Sequence, residues 1–218
     1  MITFLGNSHA AHHLALAAVK RGNLITFNRQ QAEVVFISED TPTDDHGNRD
    51  LKPILELVEI ARHLNKPIVL TSQVPPGFTR ALALPMVYHQ AETLRMKDAE
   101  ERALSPDYIA VGYELPAADM PSAYVKYLHS FGCPVLHMTW EEAEMTKIAV
   151  NMMLAAQVDM TNRLAAASKK SNANWTKVAH ALALDKRIGP HAYLTPGRWQ
   201  DSKHLLRDHV TLEALSTR

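Results

Sequence analysis

Ile2-Thr3-Phe4-Leu5-Gly6-Asn7-Ser8-His9-Ala10-Ala11 opens the chain, and its reading decides the fold. Four apolar or β-branched residues suit a short buried strand. A glycine follows, and from Ser8 onward the residues suit a helix. Working outward, Val34-Val35-Phe36-Ile37, Pro67-Ile68-Val69-Leu70 and Tyr108-Ile109-Ala110-Val111 read as further buried strands, with Pro134-Val135-Leu136 as a fifth. Between the second and third of these runs, Leu51, Ile54, Leu55, Leu57, Val58 and Ala61 recur at helical spacing. Strands that alternate with helices imply a mostly parallel sheet covered by helices.

The segment Gly6 to Ala11 lies where a Rossmann-type α/β fold carries its G-x-G-x-x-G/A loop, with the dinucleotide pyrophosphate on the helix N-terminus. Gly6 keeps the first glycine and Ala11 the last small residue. Ser8 replaces the middle glycine, and its side chain is expected to crowd the phosphate. Asn7 and His9 complete the candidate cofactor loop. The chain holds 8 glycines, where average usage gives about 15, so each glycine kept in such a loop counts. A second strand is expected over Leu24 to Phe27. Arg29 beyond it either meets a 2′-phosphate, favouring NADP over NAD, or is a surface residue, the reading we prefer.

From Thr139 the character changes. Thr139-Trp140-Glu141-Glu142 is a capping-box pattern, and the helix it starts is expected to run to Lys169-Lys170. A shorter helix, capped by Asn174, is expected over Trp175 to Leu184. The sequence therefore predicts an abbreviated Rossmann-like parallel sheet over residues 1–138 and a helical segment with one long helix over 139–218.

Composition narrows the partners. The 23 basic and 23 acidic residues balance, which argues against nucleic acid or an anionic membrane as the main partner. No apolar run is long enough to span a bilayer, and the N-terminus lacks the basic stretch and cleavage site of a signal peptide. One cysteine, Cys133, excludes an intrachain disulfide and suits a cytoplasmic protein.

Several ordered segments together resemble the UDP-glucose/GDP-mannose dehydrogenases. Ser38-Glu39-Asp40-Thr41-Pro42-Thr43-Asp44 resembles the family's Thr-Pro-Thr-Asp turn, and Thr71-Ser72-Gln73-Val74-Pro75-Pro76-Gly77 its double-proline segment. Gln90-Ala91-Glu92-Thr93-Leu94-Arg95 is similar to the substrate loop. Glu144 through Asn151, Asp185 through Pro190 and Pro196-Gly197 resemble the catalytic helix and the loop after it. The helix and strand that the family places between Arg29 and Val34 are missing. With the chain ending at Arg218, the family's C-terminal nucleotide-binding domain is expected to be absent.

The resemblance implies site residues. Lys147 and Asn151 match the pair that holds the reacting oxygen, and Glu92 matches a substrate-loop glutamate. An ungapped extension from Pro196-Gly197 keeps an aspartate as Asp208 and puts His204 where the family has its nucleophilic cysteine. Lys147, Asn151 and Glu144 share one face of a helix, so a solvated polar stripe is the competing reading. The resemblance also implies NAD or NADP as cofactor, a small-molecule substrate such as a nucleotide sugar, and a homodimer formed through the long helix.

Oxidising an alcohol to a carboxylate through a thioester needs a thiol nucleophile, and histidine is a poor substitute. The expected activity is therefore at most a single two-electron oxidation of a sugar alcohol, with Lys147 as candidate base. The alternative is a catalytically degenerate homologue acting as a binding or regulatory subunit. No metal site is expected: His9, His12, His13, His204 and His209 lack H-E-x-x-H or paired C-x-x-C company and read as surface histidines. Cys133 reads as a packed thiol. Met145, Met152, Met153 and Met160 read as core or dimer packing.

Overall fold

The computed structural model describes residues 1–114 and 120–217. It is an α/β fold with a six-stranded sheet in sequence order: β1 (Ile2–Leu5), β2 (Val34–Ile37), β3 (Ile68–Leu70), β4 (Val87–Gln90), β5 (Ile109–Gly112) and β6 (Val135–Met138). All neighbours pair in parallel except β4 and β5. The helices α1 (His9–Lys20), α2 (Lys52–Arg62), α3 (Phe78–Ala81), α4 (Ala99–Leu104) and α5 (Ser122–His129) lie between strands. Three more follow β6: α6 (Trp140–Lys170), α7 (Trp175–Leu184) and α8 (Lys203–Ser216).

β2 shows why the sheet is covered on both faces. Val34 and Phe36 pack with Ala17, Ala18, Tyr124, Tyr127 and Leu128 from α1 and α5. Val35 and Ile37, pointing the other way, pack with Ile54, Val58 and Ala61 from α2 and with Trp140. Successive side chains alternate between faces, so a strand buried on both sides must be apolar throughout.

The chain divides into two compact units. One comprises Met1–Pro42 and Arg49–Lys147 and contains the sheet; the other comprises Thr43–Asn48 and Ile148 onward. Both include part of α6. In the second unit the turn Thr43–Asn48 packs on α8. A Cβ on Gly47 would lie 2.7 Å from Cγ2 of Val210, and Lys203 Nζ is 3.1 Å from Asp45.

The strand expected over Leu24 to Phe27 is reduced to one parallel bridge, Ile2 with Ile25. The backbone leaves the sheet there because local side chains capture it. Asn28 N–H donates to Thr26 Oγ1 at 3.1 Å and Gln30 N–H to Asn28 Oδ1 at 3.2 Å, so a single 3-10 turn (Arg29–Gln31) forms instead. Phe27 is 99% exposed.

Candidate active site

Gly6 ends β1 with φ +106°, and a Cβ there would fall 2.2 Å from the Ser38 carbonyl oxygen. Only glycine permits that approach. Ser8 is the N-cap of α1: its hydroxyl accepts from Ala11 N–H at 3.0 Å and donates to Ser38 O at 2.9 Å. The side chain is buried and turned into the fold, so the crowding expected of it does not arise. The first-turn amides have no acceptor inside the helix. Ala11 N–H bonds Ser8, whereas those of His9 and Ala10 have no hydrogen-bond partner among the described residues. A backbone so arranged fits a phosphate group. Asn7 N–H is already engaged, donating to Glu39 Oε2 at 3.0 Å. Arg29 is exposed on its own turn.

His9 and His13 stand one turn apart on α1, their Nε2 atoms 3.1 Å apart, and His12 packs edge-on against His13. Burial, then the positive charges of His9 and His12, hold the His13 pKa below its ordinary value. The described residues contain no group of three or more His, Cys, Asp or Glu placed to hold a metal.

The start of α6 is fixed to the first unit. The capping box forms as expected: Thr139 N–H donates to Glu142 Oε2 at 2.7 Å, and Glu142 N–H reaches Thr139 Oγ1 at 3.4 Å. Trp140 Nε1 donates to Val87 O at 3.0 Å, with the Arg80 guanidinium 4.8 Å from its ring centroid. Glu144 is buried and accepts from Gly77 N–H at 2.6 Å and Thr79 N–H at 2.8 Å, capping α3. Burial pushes its pKa up, outweighing the opposite pull of those bonds. Glu144 and Asn151 are both buried and Lys147 is half-buried. The stripe is therefore not a solvated face.

The second unit brings two site residues together. Asn151 Nδ2 donates to Asp208 Oδ2 at 2.6 Å, and both side chains are buried. His204 lies one turn before Asp208 on α8 and is exposed. Asn162 clamps the Pro196-Gly197 loop, donating to Gly197 O at 2.8 Å and accepting from Gly197 N–H at 3.0 Å.

Glu92 lies in the loop after β4, and its carboxylate accepts from Leu94 N–H. Just before it, His89 is buried with no partner for Nδ1 among the described residues, and burial alone pushes its pKa down to about 3. Gln90 accepts from the Tyr124 hydroxyl at 3.1 Å. Cys133 precedes β6, and burial pushes its thiol pKa up. Glu39 has no site role in the sequence reading, where it stands only within the segment that resembles the family's turn. The usable signal was an acid just past the strand paired with β1, because parallel neighbours bring their C-terminal loops together.

The sequence profile of the UDP-glucose/GDP-mannose dehydrogenase family, central domain, matches residues 141–216. An uncharacterised protein of Methanocaldococcus jannaschii is 31% identical over 176 residues, covering 73% of this chain and 20% of the relative. UDP-glucose 6-dehydrogenase of Rickettsia prowazekii is 28% identical over 196 residues, 84% of this chain and 45% of the relative. The chain thus spans less than half the length of these curated relatives. The fold is that of a UDP-glucose dehydrogenase from Pyrobaculum islandicum, with a TM-score of 0.77 at 23% identity over 99% of this chain and 64% of that one. A Mycobacterium tuberculosis 3-hydroxyisobutyrate dehydrogenase shares it too, with a TM-score of 0.68 at 15% identity, over 99% of this chain and 86% of that one. With matching segments along both units, this chain belongs to the UDP-glucose/GDP-mannose dehydrogenase family.

Proposed function

We propose that this protein is a nicotinamide-dependent oxidoreductase that interconverts an alcohol and a carbonyl on a sugar substrate such as a nucleotide sugar, in at most one two-electron step. The observation that carries this reading is the buried Asn151–Asp208 hydrogen bond. A carboxylate only accepts, so it fixes which way the amide points. One N–H is spent on Asp208, and the second is left to donate to a substrate oxygen.

Gly6, Asn7, Ser8, His9 and Ala11 would hold the NAD or NADP phosphates, chiefly through the free amides of His9 and Ala10. When bound, the nicotinamide supplies the two-electron acceptor. Oxidation of the alcohol breaks one C–H and one O–H bond, and the amine of Lys147 takes the hydroxyl proton. Asn151 stabilises the developing negative charge on that oxygen. Glu92 is assigned to a substrate contact on the family resemblance of its loop. A thioester route to the carboxylate needs an activated thiol. The only cysteine, Cys133, has its pKa raised by burial, which disfavours the thiolate.

Exposed apolar residues on the helices, including Met153 (65%) and Leu184 (71%), support a homodimer through the second unit. A cytoplasmic location is the reading of the single cysteine. No helix among the described residues is long and apolar enough to cross a membrane. A second reading, a non-catalytic binding or regulatory homologue, is favoured by the lack of an activated thiol. Calorimetric titration with NAD⁺, NADH and NADPH tests the choice. Micromolar binding supports the oxidoreductase, and no heat up to millimolar cofactor supports the binding homologue.

A further inference from the structure

We propose that Glu39 is a resident anion of the dinucleotide loop and holds dinucleotide affinity down. The inference rests on the reading of Gly6 to Ala11 as a phosphate-binding loop, and it goes beyond that reading by naming a residue that limits what the loop accepts. Leu5 and Ile37 are paired neighbours in β1 and β2, and Ser38 N–H donates to Leu5 O at 2.9 Å. The loops leaving the two strands therefore run side by side. Glu39 stands two residues past one strand end and Asn7 two past the other, and the Glu39 side chain crosses between them.

The carboxylate is held at both oxygens. Oε2 accepts from Asn7 N–H at 3.0 Å and Oε1 from Asp40 N–H at 2.9 Å. The backbone that carries it is anchored as well, with Glu39 N–H donating to the buried Ser72 hydroxyl at 2.8 Å. A loop amide that would otherwise face an incoming anion thus already serves a negative charge of the protein. The free amides of His9 and Ala10 lie two and three residues further along the same loop. A diphosphate bound there places like charge close to the Glu39 carboxylate, and at such range like charges repel appreciably near a protein surface. Ser8 does not obstruct the loop, because its hydroxyl is buried against Ser38. The obstacle is charge, not shape.

The test compares the full chain with Glu39→Gln, which keeps an acceptor for Asn7 N–H and removes the charge, and with Glu39→Ala, which frees the amide. NADH binding is followed by fluorescence, inorganic pyrophosphate binding by calorimetry, and folding by circular dichroism. Both variants should bind NADH about tenfold more tightly than the parent. The gain should shrink as salt is raised, because screening weakens the repulsion. Equal NADH affinity in all three proteins overturns the role of Glu39 and leaves the cofactor reading standing. If no protein binds NADH but the variants bind pyrophosphate more tightly than the parent, Glu39 keeps its role and the dinucleotide reading falls. If pyrophosphate also fails to distinguish them, the proposal is overturned. A gain that does not respond to salt likewise overturns it, since the effect would then be steric.

Discussion

The amide of Asn151 and the carboxylate of Asp208, 57 positions apart in sequence, meet at 2.6 Å with Asp208 fully buried. This bond joins α6 to α8 within the second unit and sets the orientation of the one amide that the proposed chemistry uses. Losing a hydrogen bond to a buried charged group costs about 2 kcal/mol. Asn151→Ala should lower stability by about that amount in urea denaturation. Asn151→Asp should cost more, although it changes the shape less, because it sets two carboxylates against each other. If Asn151→Asp is the milder of the two, the bond does not have the role given to it.

His89 should make the fold sensitive to acid. Its folded pKa of about 3 lies below the ordinary 6.5. Above pH 6.5 the ring is neutral in both folded and unfolded chains, and stability is fully present. Between about 6.5 and 3 the unfolded chain takes up a proton that the folded one refuses, so stability falls by about 1.4 kcal/mol per pH unit. His89→Leu should flatten that slope relative to the parent. Carboxylates titrate alike in the two proteins and cancel in the comparison. Parallel slopes from pH 6.5 to 4 would contradict the burial of a neutral ring.

Glu144 gives a third prediction. Its carboxylate is the acceptor for Gly77 and Thr79 N–H at the start of α3. Glu144→Ala leaves both amides unpaired in a largely buried place and should cost about 3 kcal/mol, read as a lower urea midpoint. Glu144→Gln keeps an acceptor and should cost less. Equal losses would show that the α3 cap is not what Glu144 provides.

The legible parts of the fold were those with local causes. The apolar run Val34 to Ile37, the Thr139/Glu142 capping box and the Asn174 cap all appear where the sequence puts them. β4 was missed because Val87-Tyr88-His89-Gln90 contains two polar residues that look exposed. Both are buried, Gln90 with a hydrogen bond from Tyr124 and His89 as a neutral ring. The strand expected at Leu24 to Phe27 had suitable residues, but turn-forming side chains at Thr26 and Asn28 prevailed. At the candidate site, Asn151 and Asp208 could be named from the family resemblance. Their contact, and that of Glu39 with Asn7, depend on the tertiary fold and have no local signature.

The most direct test of the central claim is the stoichiometry of reduced cofactor. The protein is incubated with NAD⁺ or NADP⁺ and a panel of nucleotide sugars, with products identified by mass spectrometry and Lys147→Ala as control. The account predicts one reduced nicotinamide per substrate, a carbonyl product, and loss of turnover in Lys147→Ala with unchanged circular dichroism. Two reduced nicotinamides and a carboxylate, or undiminished turnover in Lys147→Ala, would contradict it.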